Sequence, residues 1–256
     1  MIASLGMYDR AETAAANDRY WALICQELRA RGTSAPEALT RGDGAYWPAW
    51  QAEDLVLSQT CGLPYRARLH QDVTLIGTPD FGVEGCAPGY YHSVFVARKS
   101  DTRDDLAAFS GADFAYNDAL SQSGWAAPKL WADSSGFQLR PCLETGSHLL
   151  SAKAVLDETA DFAAVDAVSW SMMLDHDAWS GDLKVIGRTP TSPGLPYIAA
   201  RGADADTTFA AVAAAIAALA PSDRATLRLR GLQKIAPERY LAVPIPEAPA
   251  QFAQAI

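Results

Sequence analysis

The chain has 256 residues, 49% of them apolar and 20% charged, which is enough apolar matter for packed cores and too much for a disordered polymer. Its 21 Lys and Arg face 30 Asp and Glu, a formal charge of −9; an acidic surface repels phosphate backbones, so nucleic acid is not an expected partner. The length allows one large domain or two of about 100–150 residues, and no stretch approaches the ~20 apolar residues of a membrane span.

The opening, Ile2 to Met7, reads as a short buried strand. Asp9, Arg10 and Glu12 follow at once, where an export signal would keep an apolar run. The chain as written is therefore expected in the cytoplasm, and in the periplasm if its start was trimmed. Thr13 to Arg31 has helical spacing, with Tyr20, Leu23, Ile24, Glu27 and Leu28 repeating at three and four and Gly32 closing it. Leu55-Val56-Leu57 and Val73 to Thr78 are buried strands, the first ending in the polar loop Ser58-Gln59-Thr60-Cys61-Gly62. Their unbroken apolar runs suggest parallel strands covered on both faces.

Residues 79–90 are rich in Gly and Pro and mark a break. Strands resume at Ser93 to Ala97 and Phe114 to Tyr116, followed by the turn Ser121-Gln122-Ser123-Gly124 and a helix over Trp125 to Trp131. Gly146-Ser147-His148 leads into a helix from Leu149 to Leu156. Phe162 to Asp166 and Lys184 to Gly187 are strands, separated by a helix around Trp170 to Leu174. A second break, Pro190 to Pro196, precedes the strand Tyr197 to Ala200 and an Ala-rich helix over Asp206 to Leu219, capped by Asp204 or Asp206. Ser222 to Leu229 is a last helix.

The two breaks divide the chain. The expected architecture is α/β with two lobes, 1–86 plus 190–256 and 87–189, and a ligand cleft between them. Cys25, Cys61, Cys86 and Cys142 show no C-x-x-C spacing, and no disulfide is expected of them. His70, His92, His148 and His176 lack the close spacing of metal ligands, so neither metal nor cofactor is expected.

Four motifs occur in order: Pro88-Gly89-Tyr90-Tyr91-His92-Ser93-Val94-Phe95-Val96, Ser121-Gln122-Ser123-Gly124-Trp125, Thr145-Gly146-Ser147-His148 and Pro193-Gly194-Leu195-Pro196. Together they resemble the phosphonate/phosphate-binding family of ABC-transporter solute-binding proteins, the PhnD-like branch of the type II periplasmic-binding fold. The sequence departs from that pattern at Gln122, where the family has Thr. The resemblance implies binding of a small phosphonate-, phosphate- or phosphite-like anion, closure about a hinge and an ABC permease as partner. It also implies ligand contacts from Tyr91, with Tyr90 as the alternative, and from Asp166 at its strand end.

The residues themselves point the same way. Ser121-Gln122-Ser123-Gly124 joins a strand to a helix whose first N–H groups lack internal acceptors and favour negative charge, and Gly124 leaves the backbone open to approach. Serines also cap helices for purely structural reasons. His148 opens another helix and can donate to an anion, or cap its own helix instead. Gln59, Thr60 and Cys61 end a buried strand, and Tyr8 ends the first strand on the rim where ligands gather. An enzyme using Cys61 and His148 as a thiol–imidazole pair is the alternative reading, and a ligand-sensing regulatory subunit is a third.

Overall fold

The computed structural model describes residues 1–249 and divides the chain into two compact units, Met1–Tyr90 with Pro193–Ala242, and Tyr91–Ser192 with the segment from Val243 on. The sequence assigns all of 190–256 to the first lobe, whereas the segment from Val243 groups with the second unit; 250–256 lie outside the described residues.

The first unit is built on a five-stranded sheet of β1 (Ile2–Ser4), β2 (Leu55–Gln59) and β3 (Val73–Asp80) with β11 (Tyr197–Ala200) and β12 (Gly231–Gln233), in the order β1-β2-β11-β3-β12. Two short strands, β4 (Tyr90–Tyr91) and β10 (Ser192–Pro193), mark where the chain passes between units. Helix α1 (Ala14–Ala30) buries Tyr20, Trp21, Ile24 and Leu28 on one sheet face, with Leu57 and Ile76 beneath them and Val212 and Ile216 of α7 (Ala205–Ala218) beside them. Each such large apolar side chain contributes about 1.5–3 kcal/mol. The other face is filled by Trp50 of α2 (Trp47–Trp50), by Tyr65 and Leu69 just after α3 (Gly62–Pro64), and by Tyr240 of α9 (Pro237–Leu241). Short α8 (Pro221–Thr226) follows α7, whose cap is Asp204, accepting from Thr207 N–H at 3.0 Å.

The second unit is a sheet of β5 (Ser93–Arg98), β6 (Asp113–Tyr116), β7 (Arg140–Glu144), β8 (Phe162–Asp166) and β9 (Leu183–Arg188), in the order β7-β6-β8-β5-β9. Alternate residues of β5 and β8 serve opposite faces. Val94, Val96, Ala163 and Val165 pack on one side, while Phe95, Ala97, Phe162 and Ala164 pack on the other. Helices α4 (Ala127–Ser135), α5 (His148–Leu156) and α6 (Ala167–His176) cover the sheet. Trp125 Nε1 donates to the Glu247 carbonyl at 2.9 Å, which ties the segment after α9 to this unit.

The strands are not uniformly parallel, as their apolar runs suggest. β1–β2, β6–β7 and β6–β8 are parallel, but β3 and β5 run antiparallel to both neighbours. An unbroken apolar run reports coverage on both faces, and antiparallel strands under helices meet that condition equally well. The return Pro193-Gly194-Leu195-Pro196 has a packing reason. Gly194 N–H donates to the Gly89 carbonyl at 2.8 Å, and a Cβ on Gly194 would stand 2.8 Å from that same oxygen.

Candidate functional site

In the second unit, β6 ends at Tyr116, and the chain reaches Ser121 in extended backbone, with φ −79° and ψ 130°. A wide π-type turn over Gln122–Ala126 then runs on into α4. The Ala126 N–H reaches back five residues to the Ser121 carbonyl at 2.9 Å, a geometry that recurs at functional sites. Ser121 Oγ accepts the Gly124 N–H at 3.0 Å, so it is a helix cap whose proton remains to be donated. Gln122 Nε2 stands 3.5 Å from Ser192 Oγ. All three residues, Ser121, Gln122 and Ser123, are buried.

Ser123 makes the contact that joins two motifs. Its Oγ lies 2.8 Å from Nε2 of His148, 25 positions later in the chain. His148 is the first residue of α5, one position earlier than its spacing suggests, and Ser147 caps that helix by accepting the Leu150 N–H at 3.1 Å. The loop before it is held by Gly146 N–H on the Asn117 carbonyl at 2.8 Å and Thr145 N–H on the Tyr116 carbonyl at 2.9 Å. Burial pushes the His148 imidazole down to about 4, with the Ala164 carbonyl working weakly against it. The positive ends of α4 and α5 favour the same neutral form.

Two supporting groups escaped the sequence reading. Ser93 Oγ donates to the Ser123 carbonyl at 2.8 Å, and Ser93 N–H donates to Thr189 Oγ1 at 3.0 Å, all in buried surroundings. Ser93 belongs to the first quoted motif, which is the signal that points to it. The second group is Asn117. A Cβ on Gly124 would lie 1.7 Å from its Oδ1, so the space left by the glycine is occupied by Asn117 and does not open the backbone to a ligand. Asp166 stands opposite Ser93 in the β5–β8 register. Its Oδ1 caps α6, accepting from Val168 N–H at 2.7 Å and Ser169 N–H at 2.9 Å. Tyr91 is buried two residues before Ser93 in the same unit.

The remaining candidates belong to the first unit. Ser58 and Gln59 are part of β2, and the polar loop is therefore shorter than expected. Gln59 Nε2 donates to the Leu195 carbonyl at 3.3 Å. Thr60 N–H donates to the Pro196 carbonyl at 3.0 Å, while its buried Oγ1 has no partner among the described residues. Cys61 precedes α3 in extended backbone and is buried. Tyr8 closes a 3-10 turn, Gly6–Tyr8, which replaces the second half of the expected first strand, and its ring meets Phe81 edge-on at 4.9 Å. Asp9 beside it is engaged by Asn17 and Arg41. Among the described residues no disulfide joins the four cysteines. Among the described residues no cluster of His, Cys, Asp or Glu suits a metal, and no helix is long and apolar enough to cross a membrane.

Comparison with known proteins adds a family. The sequence profile described as "ABC transporter, phosphonate, periplasmic substrate-binding protein" matches residues 51–239. No curated protein sequence matches the chain. Among solved structures, PhnD1 from Prochlorococcus marinus in complex with methylphosphonate is 18% identical, with a TM-score of 0.69 over 93% of this chain and 94% of that one. XAC2383 from Xanthomonas citri bound to ATP is 15% identical, with a TM-score of 0.68 over 95% and 94%. The binding-protein component of a phosphonate ABC transporter from Pseudomonas aeruginosa, PA3383, is 16% identical, with a TM-score of 0.65 over 93% and 82%. At such identities the likeness shows the fold, that of type II periplasmic binding proteins.

Proposed function

Because the chain belongs to the phosphonate-binding family of periplasmic ABC-transporter substrate-binding proteins, we propose that it captures a small tetrahedral oxyanion at the Ser121–Ser123 turn and His148. The family binds solutes and does not convert them, so a reaction at Cys61 or His148 is no part of this reading. The observation that carries the proposal is the Ser123 Oγ–His148 Nε2 contact of 2.8 Å. It draws the starts of two helices, whose dipoles favour negative charge, onto one pair of side chains.

The ligand class is phosphonate, phosphate or phosphite. Three features support it: the hydroxyls of Ser121 and Ser123, the first amides of the helical run, and the likeness to a protein solved with methylphosphonate. The capping of α6 by Asp166 Oδ1 engages one oxygen of the carboxylate that a ligand ammonium group would need. Methylphosphonate is therefore expected to bind at least as tightly as 2-aminoethylphosphonate. An ABC permease receives the loaded protein, and the compartment is the periplasm of the family. Fractionation of cells expressing the native gene tests the latter, and recovery in the cytoplasm would overturn it.

Calorimetry with phosphate, phosphite, methylphosphonate and 2-aminoethylphosphonate is the direct assay. Saturable binding of one or more of these is expected. Failure of the whole panel to bind would sink the reading.

A further inference from the structure

We propose that Asn117 is a positioning residue of the oxyanion site, wedged between the Ser121–Gly124 turn and the loop before His148 so that Ser123 and His148 meet. The inference rests on the oxyanion-binding function proposed above. Its geometry lies wholly within the second unit: the Asn117 side chain occupies the place of a side chain on Gly124, while its main chain holds Gly146.

Asn117 directly follows β6, and its two parts serve different partners. Its carbonyl accepts the Gly146 N–H at 2.8 Å, and the Tyr116 carbonyl beside it accepts the Thr145 N–H at 2.9 Å. Those two bonds fix the loop from which His148 starts α5. The side chain serves the turn. A Cβ on Gly124 would stand 1.7 Å from Asn117 Oδ1, 2.9 Å from its Cγ and 3.3 Å from its backbone nitrogen. Gly124 is not among the glycines with positive φ. Its missing side chain therefore serves close approach and not a left-handed backbone. The contact is one of shape. Oδ1 is buried and has no hydrogen-bond partner among the described residues, so it is the bulk of the amide that bears on Gly124.

What the wedge holds in place is the donor set. Gly124 N–H donates to Ser121 Oγ at 3.0 Å. Gly124 also adjoins Ser123, whose Oγ lies 2.8 Å from His148 Nε2. Gly146 in turn is separated from His148 only by the helix cap Ser147. A hydroxyl–imidazole pair drawn apart to about 3.6 Å no longer bonds, so a relative shift of under about 1 Å between the two glycines is enough to part this one. Ser93 secures the turn from β5 through the Ser123 carbonyl. Asn117 ties the turn to the His148 loop.

The test is calorimetry of the full chain with methylphosphonate, with the fitted stoichiometry reporting the folded fraction. Asn117→Ala keeps the carbonyl that holds Gly146 and empties the space beside Gly124. Misplacing one hydroxyl that bonds a charged ligand predicts a loss of about tenfold in affinity. Gly124→Ala drives a methyl group into Oδ1 and is expected to lose as much. The two changes together are expected to bind more tightly than either alone, because with the amide gone the nearest Asn117 atom to that methyl is the backbone nitrogen at 3.3 Å. A residue that merely packs would shift Tm and leave the dissociation constant alone, and an amide that bonds the ligand itself would give no such rescue. Where Gly124→Ala does not fold, Asn117→Ala is combined with Ser123→Ala instead. Because Asn117 acts through Ser123, that pair should bind within about twofold of Ser123→Ala alone. Single variants that bind like wild type, a double variant at 117 and 124 that binds no more tightly than the singles, or losses at 117 and 123 that multiply, overturn the inference and leave the proposed function standing. Absence of binding by methylphosphonate and the rest of the panel overturns the proposed function itself.

Discussion

The two units each end a buried strand in a run of polar residues that opens a helix, but they treat those residues differently. After β6, Ser121 caps the turn, Ser123 meets His148, and Ser93 holds the Ser123 carbonyl. After β2, Gln59 is tied to the Leu195 carbonyl, while Thr60 keeps a buried hydroxyl with no partner among the described residues. The first junction is held in place by its own neighbours before any ligand arrives. The second carries the desolvation cost of an unsatisfied hydroxyl, about 1–3 kcal/mol. Preorganised hydroxyls bind without a further ordering cost, and an unpaired one gains whatever bond a ligand offers.

This contrast can be broken by mutation. The largest effect is expected from replacing Ser121 and Ser123 together by Ala, which removes both hydroxyls and leaves the backbone donors. Two hydrogen bonds to a charged ligand, at about 1.5–3 kcal/mol each, predict a loss of at least roughly a hundredfold in affinity by calorimetry. A double variant that binds like wild type would reduce the turn to a helix cap.

Next comes the pH dependence of stability. The folded ring of His148 titrates at about 4 and an ordinary histidine at 6.5, so the unfolded chain takes the proton first. The contribution of His148 is complete above pH 6.5 and is lost as pH falls toward 4, on the order of 3 kcal/mol in all. Urea unfolding across that range should show the decline in wild type and a shallower one in His148→Gln. Parallel curves would contradict it.

A smaller loss is expected for Ser93→Ala, which frees the Ser123 carbonyl. One buried hydrogen bond is worth about 1 kcal/mol, so methylphosphonate affinity should fall about fivefold. A loss of stability without any loss of affinity would show that Ser93 only packs. The smallest effect is reserved for Thr60→Val. Removing a hydroxyl that bonds nothing should leave the Tm of the ligand-free protein unchanged or slightly raised. A clear fall in Tm would mean that the hydroxyl is partnered.

Much of the junction after β6 was legible in the sequence, because strand, serine pair and helix follow one another in order. Phe162–Asp166 was visible as an apolar run bounded by charge. β7 was not, since Arg140-Pro141-Cys142-Leu143-Glu144 lies at the sheet edge, with no residue fully buried to set a pattern. β12 and α9, three and five residues long, were too short to show periodicity. The Ser123–His148 contact was beyond reach, because spacing along a chain does not say which two helix starts a sheet brings together. The depressed titration of His148 was equally hidden, because burial is set by the surrounding fold and not by the residue.

The Trp125–Glu247 hydrogen bond carries a consequence for the order of synthesis. Trp125 directly follows the Ser121–Gly124 turn, yet its acceptor lies 122 positions later. A ribosome that has delivered Tyr91 through Ser192 has made the sheet of the second unit but not the carbonyl that receives this indole. The turn therefore acquires this support only from residues beyond Ala242, which the chain reaches after completing the other unit.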